Sequence, residues 1–237
     1  MIPPRSVTIV VVARDPRLAK TRLRTALAPR PRASLALAML DDVVAAATRT
    51  RRPVLVVTDA RSIATRVRRQ GAHATVAPAR GTRDGAARGL RLAARAGADA
   101  ALVIAADLPF AAAADLRRVI AAGRRAQVVI VPDQRGSGTN ALYLRPPTRI
   151  APRFGRDSLA AHRRAAGPAG AVLRVARLGI DIDTPGDLRR LERTKARAGI
   201  NTRRALRAIA SGAAPSTRRG SPSPRAARSR TPLAPPR

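Results

Sequence analysis

The chain has 237 residues, enough for one domain with an appendage, and 45% of them are hydrophobic. It contains no cysteine and only two histidines, which excludes disulfides and argues against a thiolate- or imidazole-ligated metal site. The formal net charge of +33 favours anionic partners, but only two of the 47 basic residues are lysine, and charge alone does not distinguish nucleotides, phosphorylated metabolites and nucleic acid.

The first predicted element is a β-strand at Val7–Ala13. Its apolar run is too short for the core of a signal peptide, and it is followed at once by Arg14, Asp15 and Pro16. No run in the chain approaches the roughly 18 apolar residues of a membrane span. We therefore predict a cytoplasmic protein with no membrane partner.

Short runs rich in Val, Ile and Leu then alternate with longer Ala/Leu/Arg segments of helical period. The further predicted strands are residues 53–58, 74–77, 101–106, 128–131, 141–144, 172–177 and 179–183. The predicted helices are residues 32–49, 62–70, 85–96, 112–124, 158–166 and 185–196. Apolar strands separated by helices indicate an α/β fold, a mostly parallel sheet with helices on both faces, whose ligands bind beyond the carboxyl ends of the strands.

The loop after the first strand, "RDPRLAKTRL" at residues 14–23, carries Lys20 in a chain that otherwise uses arginine. Lys20 and Arg22 together suit a triphosphate, because each cation offsets part of its charge. A solvated basic loop would account for the same letters.

Carboxylates stand at or near the ends of two later predicted strands. Asp107 follows the strand at 101–106, and Asp181 and Asp183 alternate with isoleucine, so that both would point to one face of a strand. Such residues can cap helices or form turns. The functional interpretation is that the Asp181/Asp183 pair supplies a second carboxylate for a hard, oxygen-ligated cation such as Mg²⁺ that Asp107 would bind.

Two further stretches suit the binding of anions. The loop Gly136–Asn140, "GSGTN", can turn successive N–H groups and hydroxyls toward phosphate oxygens, although glycine turns are common. Asp157 or Ser158 is the predicted N-cap of a helix, and Arg153 and Arg156 stand beside that helix start, where unpaired N–H groups could hold a phosphate or carboxylate. A plain capped helix explains this stretch equally well. His162, one turn after Ser158, is predicted to be structural or a secondary contact.

In this order, these stretches resemble the 2-phospho-L-lactate/phosphoenolpyruvate guanylyltransferases of deazaflavin coenzyme F-420 biosynthesis. The resemblance spans about residues 7–191 and is carried by "AKTRL" at 19–23, "ADLP" at 106–109, "GSGTNAL" at 136–142, "PRFG" before Ser158, and "DIDTP" at 181–185. It implies a Rossmann-like nucleotidyltransferase fold of the GT-A-like kind. It also implies a Mg²⁺-dependent reaction that joins GTP to a phosphorylated three-carbon acid and releases pyrophosphate.

The resemblance also implies roles for particular residues. Asp107 and Asp183 would hold the metal, and Asp107, Lys20 and Arg22 would be the catalytic residues, with the two cations on the triphosphate. The acid would be bound by Thr139, Gly155 and Ser158, with Gly136, Gly138 and Asn140 completing the substrate loop. Two stretches depart from the family pattern: residues 11–14, "VVAR", and residues 85–90, "GAARGL", at the expected nucleotide pocket.

We predict a nucleotidyltransferase domain over residues 1–198 and a basic, largely disordered extension over 199–237. One short amphipathic helix is possible within residues 201–212. The main alternatives are another nucleotidyl- or glycosyltransferase of the same fold, and a basic nucleic-acid-binding protein. Three aromatic residues are too few for a base-stacking platform, which restricts nucleic acid to nonspecific contact through the tail. The sequence does not indicate an oligomeric state.

Overall fold

The computed structural model describes residues 6–78 and 80–212, which form one seven-stranded sheet flanked by helices. The strands are β1 Val7–Ala13, β2 Val54–Thr58, β3 His73–Val76, β4 Ala100–Ala105, β5 Val128–Pro132, β6 Thr139–Leu144 and β7 Gly170–Val172. The helices of eight or more residues are α1 Pro29–Thr48, α2 Arg61–Arg68, α3 Thr82–Arg95, α4 Ala113–Ala122, α5 Ser158–Ala166, α6 Pro185–Thr194 and α7 Ile200–Ala210. In the described part of the chain, no helix is both long and apolar enough to cross a membrane.

The strand order is β3-β2-β1-β4-β6-β5-β7, and only β6 runs antiparallel to its neighbours. The loop of residues 133–138 is too short for a parallel crossover, so β5 and β6 form a hairpin-like pair. The direction of winding reverses between β1 and β4. In sheets of this kind the crevice at such a reversal, beyond the carboxyl ends of the strands, is where ligands bind.

Helices cover both faces of the sheet because the central strands are apolar on both sides. Ile9 and Val11 of β1 pack with α1, α2 and α4 on one face, whereas Val10 and Val12 pack with α3 and α5 on the other. Gly89 allows α3 to lie directly against β1, since a Cβ there would collide with Val10. The predicted α/β architecture, a mostly parallel sheet between two helical layers, is confirmed.

Two predicted strands are wrong. The strand predicted at 172–177 exists only as the short β7, and the chain then turns through a 3₁₀ segment, Ala176–Leu178. Arg177, in this 3₁₀ segment, does not pair with a strand. Its side chain forms two hydrogen bonds with the carboxylate of Asp115 on α4, at 2.7 and 2.9 Å. Residues 179–183 form no strand either, because Ile182 is buried between helices and the amide of Asp183 donates to Asp187 instead of to a neighbouring strand.

The boundary predicted at residue 198 falls just before an ordered helix. The carboxylate of Asp42, buried on α1, accepts hydrogen bonds from the amides of Asn201 and Thr202 at the start of α7, at 3.1 and 2.8 Å. Leu206 of α7 joins an apolar cluster with residues of α1 and α6. Helix α7 therefore packs with the first domain, and the part of the predicted disordered extension from residue 213 onward lies outside the described residues.

The contact between Asp42 and α7 yields a stability prediction. Asp42→Ala leaves the amides of Asn201 and the buried Thr202 without their acceptor, so the free energy of unfolding should fall by about 2 kcal/mol in a urea titration. Asp84→Ala is the matched control, because Asp84 lies at the start of α3 but is exposed. Equal losses for the two variants would show that α7 does not depend on Asp42.

Candidate active site

The polar residues that follow β1, β4 and β5 meet at one edge of the sheet. The loop of residues 14–22 follows β1, Asp107 follows β4, and Asp133 follows β5. Thr139 joins them from the opposite direction, because antiparallel β6 begins where its neighbours end. The edge at the β1/β4 reversal therefore collects the candidate residues from four separate parts of the chain.

Lys20 connects two of the predicted site carboxylates. Its ammonium group hydrogen-bonds to Asp107 and lies 2.7 Å from Oδ1 of Asp183. The side chain of Lys20 is only 9% exposed, compared with 24% for Asp107 and 39% for Asp183. Burial by itself would lower the pKa of Lys20, but the charges of the two aspartates outweigh it and raise that pKa. Two carboxylates distant in sequence thus converge on one cation.

Arg22 lies at the outer side of this group. One of its guanidinium nitrogens is 3.9 Å from Asp183, and its side chain is 72% exposed. The loop that carries Lys20 is held at its start, where the amide of Asp15 donates to Asp59, which follows β2, at 2.6 Å. Lys20 itself adopts a left-handed backbone conformation with φ of 55° and directs its side chain inward. The arrangement offers one buried and one exposed cation to an anionic ligand.

A cavity of about 290 Å³ opens beside these charges. Its charged lining residues are Arg14, Lys20, Asp107 and Asp183, and α1 and α2 contribute apolar side chains to its wall. The described residues that line it come from β1 and its loop, the end of β4 and the residues after it, α1, α2, Thr82 of α3 and Asp183, and none of them comes from the glycine-rich loop. This chemistry suits a ligand with a charged part and an apolar part.

The side-chain amide of Asn140, a predicted substrate contact, is engaged within the protein. Its nitrogen donates to the carbonyl oxygen of Leu178 at 3.0 Å and to Asp181 at 3.3 Å. Burial raises the pKa of Asp181 to about 6, and the charge of Asp107 adds to this effect. Asn140 therefore ties β6 to the segment that delivers Asp181 and Asp183, and Asp181 is a third carboxylate near the site.

The glycine-rich loop is folded over Asp133. The amide of Ser137 donates to this carboxylate at 2.9 Å, and a Cβ at Gly138 would lie 2.9 Å from one of its oxygens. Gly136 has a φ of 74°, a conformation that glycine adopts without strain. The carbonyl of Ser137 accepts the amide of Leu159 at 3.0 Å, which fixes the loop against the start of α5.

Thr139 and Ser158 are both buried where β6 begins and α5 starts. Nδ1 of His162 lies 3.0 Å from the hydroxyl oxygen of Thr139, so the histidine joins α5 to β6. Gly155, in the turn before α5, has a φ of 132° that a side chain would strain. The structure thus brings the predicted Thr139 and the start of α5 together through a histidine.

Comparison with known proteins identifies the family. The family model described as "Guanylyl transferase CofC like" matches residues 7–218. The phosphoenolpyruvate guanylyltransferase of Sphaerobacter thermophilus is 38% identical over 73% of this chain and 86% of its own length. The 3-phospho-D-glycerate guanylyltransferase of Colwellia psychrerythraea is 31% identical over 76% and 88%, respectively.

The chain belongs to the CofC-like guanylyltransferase family. It is accordingly a nucleotidyltransferase enzyme, and the family resemblance seen in the sequence motifs is confirmed. The fold agrees: a solved nucleotidyl transferase from Methanothermobacter thermautotroptrophicus superposes with a TM-score of 0.60, covering 81% of this chain and 99% of that one at 21% identity.

With the CofC-like family established, the predicted site residues can be placed as two groups. Asp107 and Asp183 each contact the ammonium group of Lys20, and Arg22 lies at the edge of this group. Thr139, Gly155 and Ser158, with the loop of Gly136 and Gly138, form the second group, and Asn140 links the two through Asp181. Asp181 is not among the site residues that the resemblance implies, and His162 is predicted from the sequence only as a structural residue or a secondary contact. The alternation with isoleucine pointed to Asp181, whereas the position of His162 one turn after Ser158 was the only signal for it.

The residues present fit a divalent metal ion. Asp107 and Asp183 already converge on a single cation, the ammonium group of Lys20. Among the residues that the structure describes, no cluster of three or more His, Asp or Glu side chains has a metal-binding arrangement. Two carboxylates suffice for Mg²⁺, which commonly takes its remaining oxygen ligands from water and substrate phosphates. The donor set therefore suits a hard cation held jointly with a nucleotide.

Proposed function

We propose that this enzyme transfers the guanylyl group of GTP to phosphoenolpyruvate with release of pyrophosphate, as a step in coenzyme F-420 biosynthesis. The relative named for phosphoenolpyruvate is 38% identical to this chain, whereas the one named for 3-phospho-D-glycerate is 31% identical. This difference favours phosphoenolpyruvate as the acid, with 2-phospho-L-lactate and 3-phospho-D-glycerate as its competitors.

The nucleotide would occupy the cavity beside the β1 loop. Lys20 and Arg22 would contact the triphosphate, Arg14 would add a third positive charge, and the apolar wall from α1 and α2 would face the base. Such a site pairs each phosphate with a cation and removes apolar surface of the base from water. The observation that carries the proposal is the convergence of Asp107 and Asp183 on one cation at the mouth of this cavity.

The acid would bind at the second group of residues. The hydroxyls of Thr139 and Ser158 would donate to its anionic oxygens, and the open conformation of Gly155 would let backbone approach them closely. Asn140, next to Thr139 on β6, hydrogen-bonds to Asp181, two residues before Asp183, so the acid and the nucleotide would bind side by side along the sheet edge.

In the proposed reaction, a phosphate oxygen of the acid attacks the α-phosphorus of GTP in line. A new P–O–P bond forms while the bond to the β-phosphate breaks, and the electron pair leaves with pyrophosphate. Two like unit charges about 4 Å apart repel by about 4 kcal/mol at an effective dielectric near 20. Lys20 and Arg22 would offset that repulsion and the negative charge that develops on the leaving group.

Asp107 and Asp183 would hold Mg²⁺, which, when bound, neutralises phosphate charge and activates the α-phosphorus toward attack. The protein's own contribution is to fix the two carboxylates at one point, since its diffuse positive charge cannot define a position. Asp181, whose pKa is raised by burial and by the charge of Asp107, is a third carboxyl group near Asp107 and Asp183.

The full-length protein with GTP, Mg²⁺ and each of the three acids, followed by pyrophosphate release, tests this function. We expect the highest kcat/KM with phosphoenolpyruvate and little release when CTP or ATP replaces GTP. A higher kcat/KM with 3-phospho-D-glycerate would show that the proposed acid is wrong but that the proposed guanylyl transfer is right. No pyrophosphate with any acid, or a preference for CTP, would overturn the proposal.

A further inference from the structure

His162 is the one buried histidine of the chain, which has two. It is 0% exposed, and its ring lies between the hydroxyl of Thr139 and the backbone amide of Arg153. The amide of Arg153 is 2.7 Å from Nε2, and Phe154 packs edge-on against the ring with centroids 5.2 Å apart. The ring orientation is thereby fixed from two sides.

These contacts determine where the proton of the ring resides. A backbone amide can only donate, so Nε2 of His162 must accept, and it carries the lone pair. A neutral imidazole has one protonated nitrogen, which is therefore Nδ1, and this N–H donates to the hydroxyl oxygen of Thr139. Burial, reinforced by the positive charge of Arg153, lowers the pKa of His162 to about 4, so the ring is neutral near pH 7.

The donor from His162 fixes what the hydroxyl of Thr139 can do. A hydroxyl has one hydrogen to donate and accepts through its lone pairs. Because His162 supplies a hydrogen to that oxygen, the hydroxyl hydrogen of Thr139 is directed elsewhere, as a donor to an acceptor group. The matching ligand atom is an anionic oxygen, as in a carboxylate or a phosphate.

We infer that His162 is a positioning residue, which sets the hydroxyl of Thr139 as a hydrogen-bond donor to an anionic oxygen of the phosphorylated acid. This inference rests on the proposed function, since it assigns the donor polarity of the same acid-binding group. It gives His162 a role in affinity for the acid and none in binding GTP or in the bond-forming step.

Two substitutions separate this role from a structural one, because each keeps one of the two ring contacts. In His162→Asn the amide nitrogen takes the place of Nδ1 and preserves the donor to Thr139. In His162→Gln the amide oxygen takes the place of Nε2 and preserves the acceptor for Arg153. If His162 were purely structural, His162→Asn would not preserve affinity for the acid better than His162→Gln.

The measurement is steady-state kinetics with GTP, Mg²⁺ and phosphoenolpyruvate. We expect His162→Gln to raise the KM for the acid about tenfold, the usual effect of one lost hydrogen bond to a charged group, with kcat and the KM for GTP within about twofold. His162→Asn should stay within about threefold of the original KM. His73→Asn, at the exposed histidine of β3, serves as the control.

A double-mutant cycle with Thr139→Val then tests whether His162 acts through that hydroxyl. In the Thr139→Val background, His162→Gln should raise the KM for the acid by less than about twofold. If the increases in KM for the acid caused by His162→Gln and Thr139→Val multiply independently, the inference is overturned. It is also overturned if His162→Asn and His162→Gln raise that KM equally, or if His162→Gln impairs kcat and both KM values together. Failure of the unmodified enzyme with every acid would instead show that the proposed function is wrong, and the inference with it.

Discussion

Asp107→Asn should lower kcat about 1000-fold, which corresponds to a loss of about 4 kcal/mol of transition-state stabilisation. The substitution keeps the size of the side chain but removes the negative charge at the point where Lys20 and Asp183 meet. The reacting phosphates depend on a cation at that point, and the remaining carboxylate alone defines its position poorly. Turnover is measured as pyrophosphate release at saturating GTP and acid.

The same substitution should leave the fold intact. Lys20 retains Asp183 as a partner, and Asp107 is 24% exposed, so the free energy of unfolding should change by only about 1 kcal/mol. Glu192→Gln is the control for loss of one carboxylate, because Glu192 is exposed on α6, the helix that begins two residues after Asp183. Near-normal turnover of Asp107→Asn with Mg²⁺ would remove the metal role from this residue.

The parts of the fold that follow from local patterns are predicted well. The run Val7–Ala13 is apolar except at Thr8 because β1 is buried on both faces, and its predicted bounds are those of the structure. The run Val172–Arg177 is also rich in Val and Leu, but only Gly170–Val172 pairs with a neighbouring strand, β5. Whether an apolar segment becomes a strand depends on a free position at the sheet edge, which composition does not report.

The segment of residues 179–183 shows a second limit. Its alternation correctly separates the buried Ile182 from Asp183, although no strand forms there. The helix that follows begins as predicted at Pro185, with Thr184 and Asp187 in a reciprocal cap. The cap uses the backbone amides of Asp183 and Thr184, so they are not available to a sheet.

The candidate site divides in the same way. Strand ends and rare residue types predict that Lys20 and Asp107 are near each other, and the structure places them in contact. The proposed role of His162 depends on which ring nitrogen carries the proton. The amide of Arg153 determines this by donating to Nε2, and the sequence does not predict that contact. The glycine-rich stretch predicts a substrate contact for Asn140, whereas its side chain faces Asp181.

Lys20→Met should separate two functions of this residue. Its ammonium group occupies the point on which Asp107 and Asp183 converge, so a divalent ion and Lys20 compete for the same carboxylates. Without the ammonium group, affinity for Mn²⁺ in the absence of nucleotide should rise about threefold to tenfold, since two facing carboxylates lose their internal partner. Turnover should nevertheless fall about 100-fold, because the triphosphate loses its buried cation.

Titration of Mn²⁺ binding and of pyrophosphate release on the same preparation measures both effects. Lys195→Met is the matched control, because Lys195 is the other lysine of the chain and is exposed after α6. Opposite changes in metal affinity and turnover would mean that Lys20 leaves the carboxylates when the substrates bind and then serves the triphosphate. Weaker Mn²⁺ binding in Lys20→Met would contradict this, because it would mean that the ammonium group holds Asp107 and Asp183 together for the metal and does not compete with it.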